Sequence, residues 1–358
     1  MPVYNGLAYL RPAIESVLSQ TFTDFEFLIV DDASTDESVE CIRSYTDSRI
    51  KLVRNEANLG QSGSLNKGLE LARGSYIARL DQDDVCLPER LRKQVEFLDC
   101  QPDVAIVSTW EYTIDSQGRK VRTWRSQLKN YGEFLGALLV AKCPVWHPSV
   151  MFRKKAVTDL GGYDASYAPA DDFHLWSQLA ISRCNAAFVP EFLVSQRVHG
   201  ARQSVNQAAV QLEHTQRSHN ELISSFCSSG EARLVAMLLR IEEEFWSQCP
   251  SKARLRDVLH ALNGMLTNAR STLGLTPEEF STLRGVVHRR LGFGVSVGRT
   301  IESFPTVLFY PVFFILSPLL IPKVRPFFSR LYSNLSQIRY PVRLVQSGVA
   351  RLVKPKTE

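Results

Sequence analysis

Seven cysteines are all that the 358 residues contain, at positions 41, 86, 100, 143, 184, 227 and 249, and no two are spaced as Cys-x-x-Cys. The odd number and the spacing argue against a disulfide framework and a structural zinc site. The thiols read as scattered buried side chains in a reducing compartment. No Gly-x-Gly-x-x-Gly follows a predicted strand, and no phosphate loop ending in Gly-Lys-Ser/Thr occurs, which weakens a dinucleotide or P-loop reading. Internal repeats and low-complexity tracts are lacking, and no acidic tract marks a polycationic substrate. The first residues have neither a basic n-region nor an apolar h-region, so no signal peptide is expected. What remains is ordinary globular composition, 44% hydrophobic and 22% charged, at a length that suits two domains or one domain with a large extension.

Charge is unevenly placed. Residues 323–358 hold eight of the 42 Lys/Arg side chains and one of the 37 acidic ones, leaving 34 basic and 36 acidic side chains over the preceding 322 residues. Ahead of this basic tail, residues 303–322 carry no charge at all, but Pro305, Pro311, Pro318 and Pro322 argue against one straight membrane helix. A kinked, interfacial or re-entrant segment anchored by the tail fits better and predicts peripheral contact with an anionic membrane face; the bland alternative is an apolar arm packed on the protein's own core. The tail lacks a nucleic-acid motif, and no nucleic-acid partner is expected.

Over the first 110 residues two periodicities alternate. Helical spacing covers 7–19, 37–46, 63–73 and 88–98, and short apolar runs at 25–30, 50–53, 76–80 and 104–108 suit strands. Ser34 with Glu37 predicts a capping box for the second helix, and Gly74 a C-cap for the third. The alternation predicts an α/β fold with a mostly parallel, Rossmann-like sheet flanked by helices. Further strands are expected at 149–152 and 186–190, and a helix at 172–181. A helical extension is expected over 206–300, with Thr276-Pro277-Glu278-Glu279 as a strong helix start.

Acidic clusters sit where two predicted strands end, the place where open α/β sheets bind ligands. Asp81, Asp83 and Asp84 follow one strand within four residues; like charges this close repel unless a cation joins them, and hard oxygens suit Mg²⁺ or Mn²⁺. A solvated acidic turn is the alternative. Asp31-Asp32 closes another strand and reads either as an acceptor for a ribose hydroxyl or base N–H, or as an Asx turn. Asp171-Asp172 stands at a predicted helix start, as caps or as a general base kept ionised by the helix dipole. His147, Arg197 and His199 complete the candidates; Arg197 with His199 could face a phosphate.

Taken in order, Met-Pro-Val-Tyr-Asn-Gly, Ser-Val-Leu-Ser-Gln-Thr-Phe-Thr-Asp-Phe-Glu, Val-Asp-Asp-Ala-Ser-Thr-Asp, Asn-Leu-Gly, Asp-Gln-Asp-Asp and Asp-Asp-Phe-His-Leu-Trp resemble the family 2 inverting glycosyltransferases of GT-A fold over about residues 1–200. The resemblance implies a glycosyltransferase domain over 1–205; the helical pattern sets the extension over 206–300, and the apolar and basic composition the membrane-associating tail over 301–358. It implies a nucleotide-sugar donor, a UDP-sugar favoured, with Pro2, Val3 and Tyr4 at the base, Asp32 on the base edge and Asp31 supporting it or contacting the ribose. Asp81 and Asp83 would be the DxD motif, Asp83 the direct ligand of a divalent cation, and Asp172 the catalytic base. Asp171 replaces the family's usual Glu. His147 and His199 match positions near diphosphate or acceptor. A hexosyltransferase working on a saccharide or lipid-linked acceptor at the cytoplasmic membrane face, in surface polysaccharide assembly, is the implied setting. Family members carry an apolar strand before Pro-Val-Tyr-Asn that this sequence lacks; a start assigned too late, or an impaired nucleotide-sugar-binding scaffold, would account for it.

Overall fold

A computed structural model describes residues 1–200, 206–227, 230–240 and 252–291. The segment 303–322 and the basic tail lie outside them. Among the described residues no helix is long and apolar enough to cross a membrane.

Helix α1 (Leu7–Leu18) buries Leu10, Ala13, Ile14 and Val17, one stripe at helical spacing. It packs with β1 (Pro2–Val3) and β2 (Phe27–Asp31) in a core of Val3, Ile14, Phe27, Ile29 and Ile42. Helix α2 (Ser38–Arg43), β3 (Ile50–Arg54), α3 (Gly60–Leu71), β4 (Tyr76–Ala78), β5 (Val85–Cys86) and α4 (Arg90–Cys100) continue the alternation. Strands β1, β2 and β3 form a parallel sheet. The second sheet runs β4–β8–β6–β9–β5, from β6 (Val104–Ile114), β8 (Met151–Arg153) and β9 (Asn185–Arg197), with β7 (Lys120–Trp124) paired to β6. It is mixed: β6 and β9 run parallel and its other ladders antiparallel. A cavity of about 750 Å³ lies against both sheets, lined among others by Phe27, Leu28, Ile77, Ala78 and Phe152.

Several local expectations change. Helix α2 starts at Ser38 after Glu37, with no side-chain cap. The Ser34 hydroxyl accepts instead from the Asn5 amide at 3.0 Å, so a loop-to-loop bond replaces the capping box. Helix α3 ends at an extended Ala72, two residues before Gly74. Strand β9 runs through Pro190, because the β6 register skips from Val189 to Phe192; Pro190 and Glu191 sit in a bulge that needs no donor from proline. The thiols are not uniformly buried: Cys41, Cys86 and Cys227 are, whereas Cys100 and Cys143 have exposed surface.

Helix α5 (Tyr131–Leu139), α6 (Lys154–Thr158) and α7 (Asp171–Ile181) follow, then α8 (Ala208–Ser224), α9 (Ala232–Arg240), α10 (Lys252–Thr272) and α11 (Pro277–Arg290). The capping box at Thr276 and Glu279 forms as expected. Residues 1–291 make one compact unit, and α11 lies against α5 because Gly132 and Gly136 offer no side chain there. A Cβ on Gly132 would stand 1.9 Å from the Glu279 carbonyl oxygen, and one on Gly136 would stand 2.9 Å from Val286 Cβ. Gly132→Ala is therefore expected to destabilise the protein by about 2 kcal/mol through overpacking, read from a lowered urea midpoint. An unchanged midpoint would mean that the two helices do not need this close approach.

Candidate active site

Loops at the carboxyl ends of the first strands are tied to one another. Asn5, at φ 48°, accepts through Oδ1 from the amide of Thr35 (2.9 Å), while Gly6 N–H donates to Ser38 Oγ (3.0 Å). Gln82 reaches back across the sequence: its Oε1 accepts from Tyr4 N–H at 2.8 Å and its Nε2 donates to the Tyr4 carbonyl at 3.1 Å. The Pro2-Val3-Tyr4 segment and the Asp81–Asp84 turn are thereby joined. Val3 is buried and Tyr4 is exposed.

Asp31 is fully buried, with Arg54 Nε 3.2 Å from its Oδ2. Asp32 is buried too, and its Oδ1 accepts from Asn55 Nδ2 and Leu59 N–H, each at 2.8 Å. Asn55 sits just beyond β3 and Leu59 just before α3, so the acid after β2 is oriented by both ends of the single β3–α3 connection. This is a fixed carboxylate at a strand end.

At the turn after β4, the ligand oxygens of Asp81, Asp83 and Asp84 lie within 4.8 Å of one another. Each is held from elsewhere. Arg79, buried two positions earlier, pairs with Asp81 through both terminal nitrogens; Nη1 lies 2.6 Å from Oδ2. His199 Nε2 is 2.8 Å from Asp83 Oδ2. Arg197 donates its backbone N–H to Asp84 Oδ1 (2.7 Å) and its Nε to the Asp83 carbonyl (3.0 Å). With Nη1 donating to the Asp115 carbonyl at 3.1 Å, two of the three guanidinium nitrogens of Arg197 are bound to backbone carbonyls, and His199 faces the acidic turn directly.

Neither acid of the third pair caps α7, whose N-cap is Ala170. Asp171 is buried and accepts from Ser62 Oγ at 2.5 Å. Asp172 keeps part of its surface open, and its Oδ1 accepts from Phe173 N–H at 2.7 Å. Desolvation first, then repulsion from Asp171, push the Asp172 carboxyl up to about 6, against the lowering pull of Arg79; Asp81 adds to the rise. His147 is buried, its Nε2 2.9 Å from the Tyr163 hydroxyl, and desolvation with the Arg79 charge holds it well below the usual histidine range. It is a neutral packing partner at pH 7 rather than a cation offered to a ligand.

Two side chains that the sequence did not single out connect these clusters. Gln61 and Ser62, adjacent in the first turn of α3, donate respectively to Asp81 Oδ1 (3.2 Å) and Asp171 Oδ2. Arg79 is felt by both Asp81 and Asp172. The DxD turn and the α7 acids thus share one electrostatic neighbourhood. Arg79 had one available signal, its place two residues from Asp81 at the end of a strand; Ser62 had none.

A family model for glycosyl transferase family 2 matches residues 1–161. An uncharacterized glycosyltransferase of Methanocaldococcus jannaschii is 34% identical over 202 residues, 55% of this chain and 69% of that protein. The chain belongs to glycosyltransferase family 2. The amylovoran biosynthesis glycosyltransferase AmsE of Erwinia amylovora is 31% identical over 190 residues, 52% of this chain and 70% of that protein. An uncharacterized glycosyltransferase of Haemophilus influenzae is 29% identical over 212 residues, covering 56% of this chain and 65% of that one. The aligned part spans about two thirds of these relatives' lengths. Among solved structures, S. aureus TarS 1-349 in complex with UDP-GlcNAc superposes with a TM-score of 0.54 at 16% identity, over 85% of this chain and 96% of that one. At that identity the likeness is one of fold, and it places this glycosyltransferase among GT-A structures.

Proposed function

We propose that this family 2 glycosyltransferase moves a sugar, with inversion, from a nucleoside-diphosphate donor to a hydroxyl of a saccharide or lipid-linked acceptor in surface polysaccharide synthesis. A UDP-sugar is the favoured donor. The observation that carries this reading is the common counter-charge: Arg79 binds Asp81 of the DxD turn and acts on the Asp172 carboxylate.

The nucleoside end falls to Pro2, Val3 and Tyr4, with Asp32 presenting a pre-oriented carboxylate to the base and Asp31 supporting the loop through Arg54. The acidic turn fits a divalent cation, Mg²⁺ or Mn²⁺. Three hard-oxygen donors converge within 4.8 Å, and an imidazole is already hydrogen-bonded to Asp83. Asp83 and Asp81 would hold the ion, which supplies neutralisation of the departing diphosphate. Asp172 accepts the acceptor hydroxyl's proton. Its raised affinity for a proton suits a base that works near neutrality. The acceptor oxygen then attacks the anomeric carbon opposite the diphosphate, through an oxocarbenium-like transition state. Asp171, tied to Ser62, holds the start of α7 in place.

Residues 1–205 form the catalytic part in this reading, and 206–300 extend it. The apolar and basic segment 303–358 serves as a peripheral contact with the cytoplasmic membrane face. A panel of nucleotide sugars with Mg²⁺ or Mn²⁺ tests the donor assignment: one donor raises the melting temperature by mass action and is slowly hydrolysed. Transfer or hydrolysis is expected to fall as pH drops through about 6, following protonation of Asp172. No stabilisation by any donor, or a rate flat across pH 5–7, would contradict the reading.

A further inference from the structure

The β6–β7 hairpin has two unlike faces. On one, Trp110, Tyr112 and Phe192 pack together beneath Arg125 and Lys120, whose charged ends lie over the rings. That face is self-contained. On the other, Trp124 stands opposite Glu111 in the antiparallel ladder, and opposed residues share a face. Trp124 is 38% exposed, and its ring centroid lies 4.9 Å from that of Trp146 at 51°. Arg122, also exposed, holds its guanidinium 5.0 Å from the Trp124 ring.

This second face leads to the proposed base. Trp146 directly precedes His147, whose ring stands edge-on to Trp176 at 5.8 Å. Trp176 is one helical turn after Asp172 on α7, so the two share a helix face. The Cys143 thiol lies within electrostatic reach of both Asp172 and Glu111, the cross-strand partner of Trp124. On this face Arg122 supplies a cation; of the neighbouring cations, Lys120 and Arg125 lie over the rings of the first face and Arg119 pairs with Asp115 at 2.8 Å.

We propose that Trp124, Trp146 and Arg122 form the acceptor subsite, and that the acceptor is a glycan bearing an anionic group. A pyranose would lay its apolar C–H face on the indoles, and the phosphate or carboxylate would meet the Arg122 guanidinium. The proposal rests on the reading of Asp172 as base, because it places the acceptor beside that carboxylate.

Binding to the full chain is measured by indole fluorescence with three probes: maltohexaose, an oligogalacturonate, and N-acetylglucosamine linked through diphosphate to a short prenyl chain. One of the two anionic probes is expected to bind in preference to maltohexaose, and which one binds separates a uronate from a lipid-linked diphosphate. Trp124→Ala should weaken that probe about tenfold, Trp124→Phe much less, and Arg122→Gln should erase the preference over maltohexaose. Nucleotide-sugar affinity should be the same in all three variants. Failure of both anionic probes to bind, or a parallel loss of nucleotide-sugar affinity in Trp124→Phe, would overturn the proposal. Equally damaging would be Trp124-dependent binding to glycan-free phosphatidylglycerol vesicles with none to the glycans, which would make the face a membrane contact. Failure of the base reading is distinguishable, since it appears as transfer surviving in Asp172→Asn while glycan binding is intact.

Discussion

Asp172→Asn is expected to reduce sugar transfer by about a thousandfold, the middle of the range for loss of a general base, with nucleotide-sugar affinity essentially unchanged. Asparagine keeps the size of the side chain and an oxygen for the Phe173 amide, which donates at 2.7 Å. It cannot take a proton. The same substitution should raise stability. The folded protein binds the Asp172 proton more tightly than an unfolded chain does, because the carboxyl rises from 3.8 to about 6. Holding it ionised therefore works against folding above about pH 6, and the penalty fades as pH falls toward 4. Removing the charge recovers about 1–3 kcal/mol at pH 7.5, seen as a higher melting temperature that converges with the parent at acid pH. A structural Asp172 would show the opposite: lower stability, with activity lost only through unfolding.

The second large effect is that of Arg79→Met. Arg79 is buried and binds Asp81, whose side chain is only partly exposed. Deleting one member of such a pair leaves a carboxylate without its counter-charge and costs about 3 kcal/mol, the low end of the range for a buried pair because Asp81 retains some solvent. A catalytic signature should accompany the loss. Arg79 pulls the Asp172 carboxyl downward, so its removal raises that carboxyl above about 6 and shifts the acid limb of the rate profile to higher pH. Arg79→Lys keeps the charge without the two-pronged geometry, and should restore the pH limb more fully than the stability. An unmoved limb in the methionine variant would separate the DxD turn from Asp172 and dissolve their shared neighbourhood.

Much of the architecture was legible because the signals were physical. Phe-Leu-Ile-Val ahead of Asp31-Asp32 marks a buried strand that ends in charge, Tyr-Ile-Ala ahead of the Asp81 turn marks a partly exposed one, and α1 shows its core stripe in Leu10, Ile14 and Val17. Strand β7 was hidden: Lys-Val-Arg-Thr-Trp is exposed throughout, so no apolar alternation betrays it. The Ser34–Glu37 spacing misled because Ser34 Oγ has a tertiary donor, the Asn5 amide, that a local rule does not see. At the site, acid pairs at strand ends stand out, since charge there is unfavourable without a partner. Their partners do not stand out. Gln61 and Ser62 belong to a helix start of small and polar residues, and Arg79 reads as a strand residue until its burial against Asp81 is seen. The neutral, buried state of His147 also depends on tertiary packing that spacing alone does not reveal.

The central claim is a direct displacement assisted by a single base. The most direct test is the anomeric configuration of the first sugar released or transferred from an α-linked nucleotide sugar, followed by proton NMR before mutarotation. The account predicts the β-anomer, from one attack opposite the diphosphate. Initial release of the α-anomer would require two displacements or attack from the same face, and would contradict it.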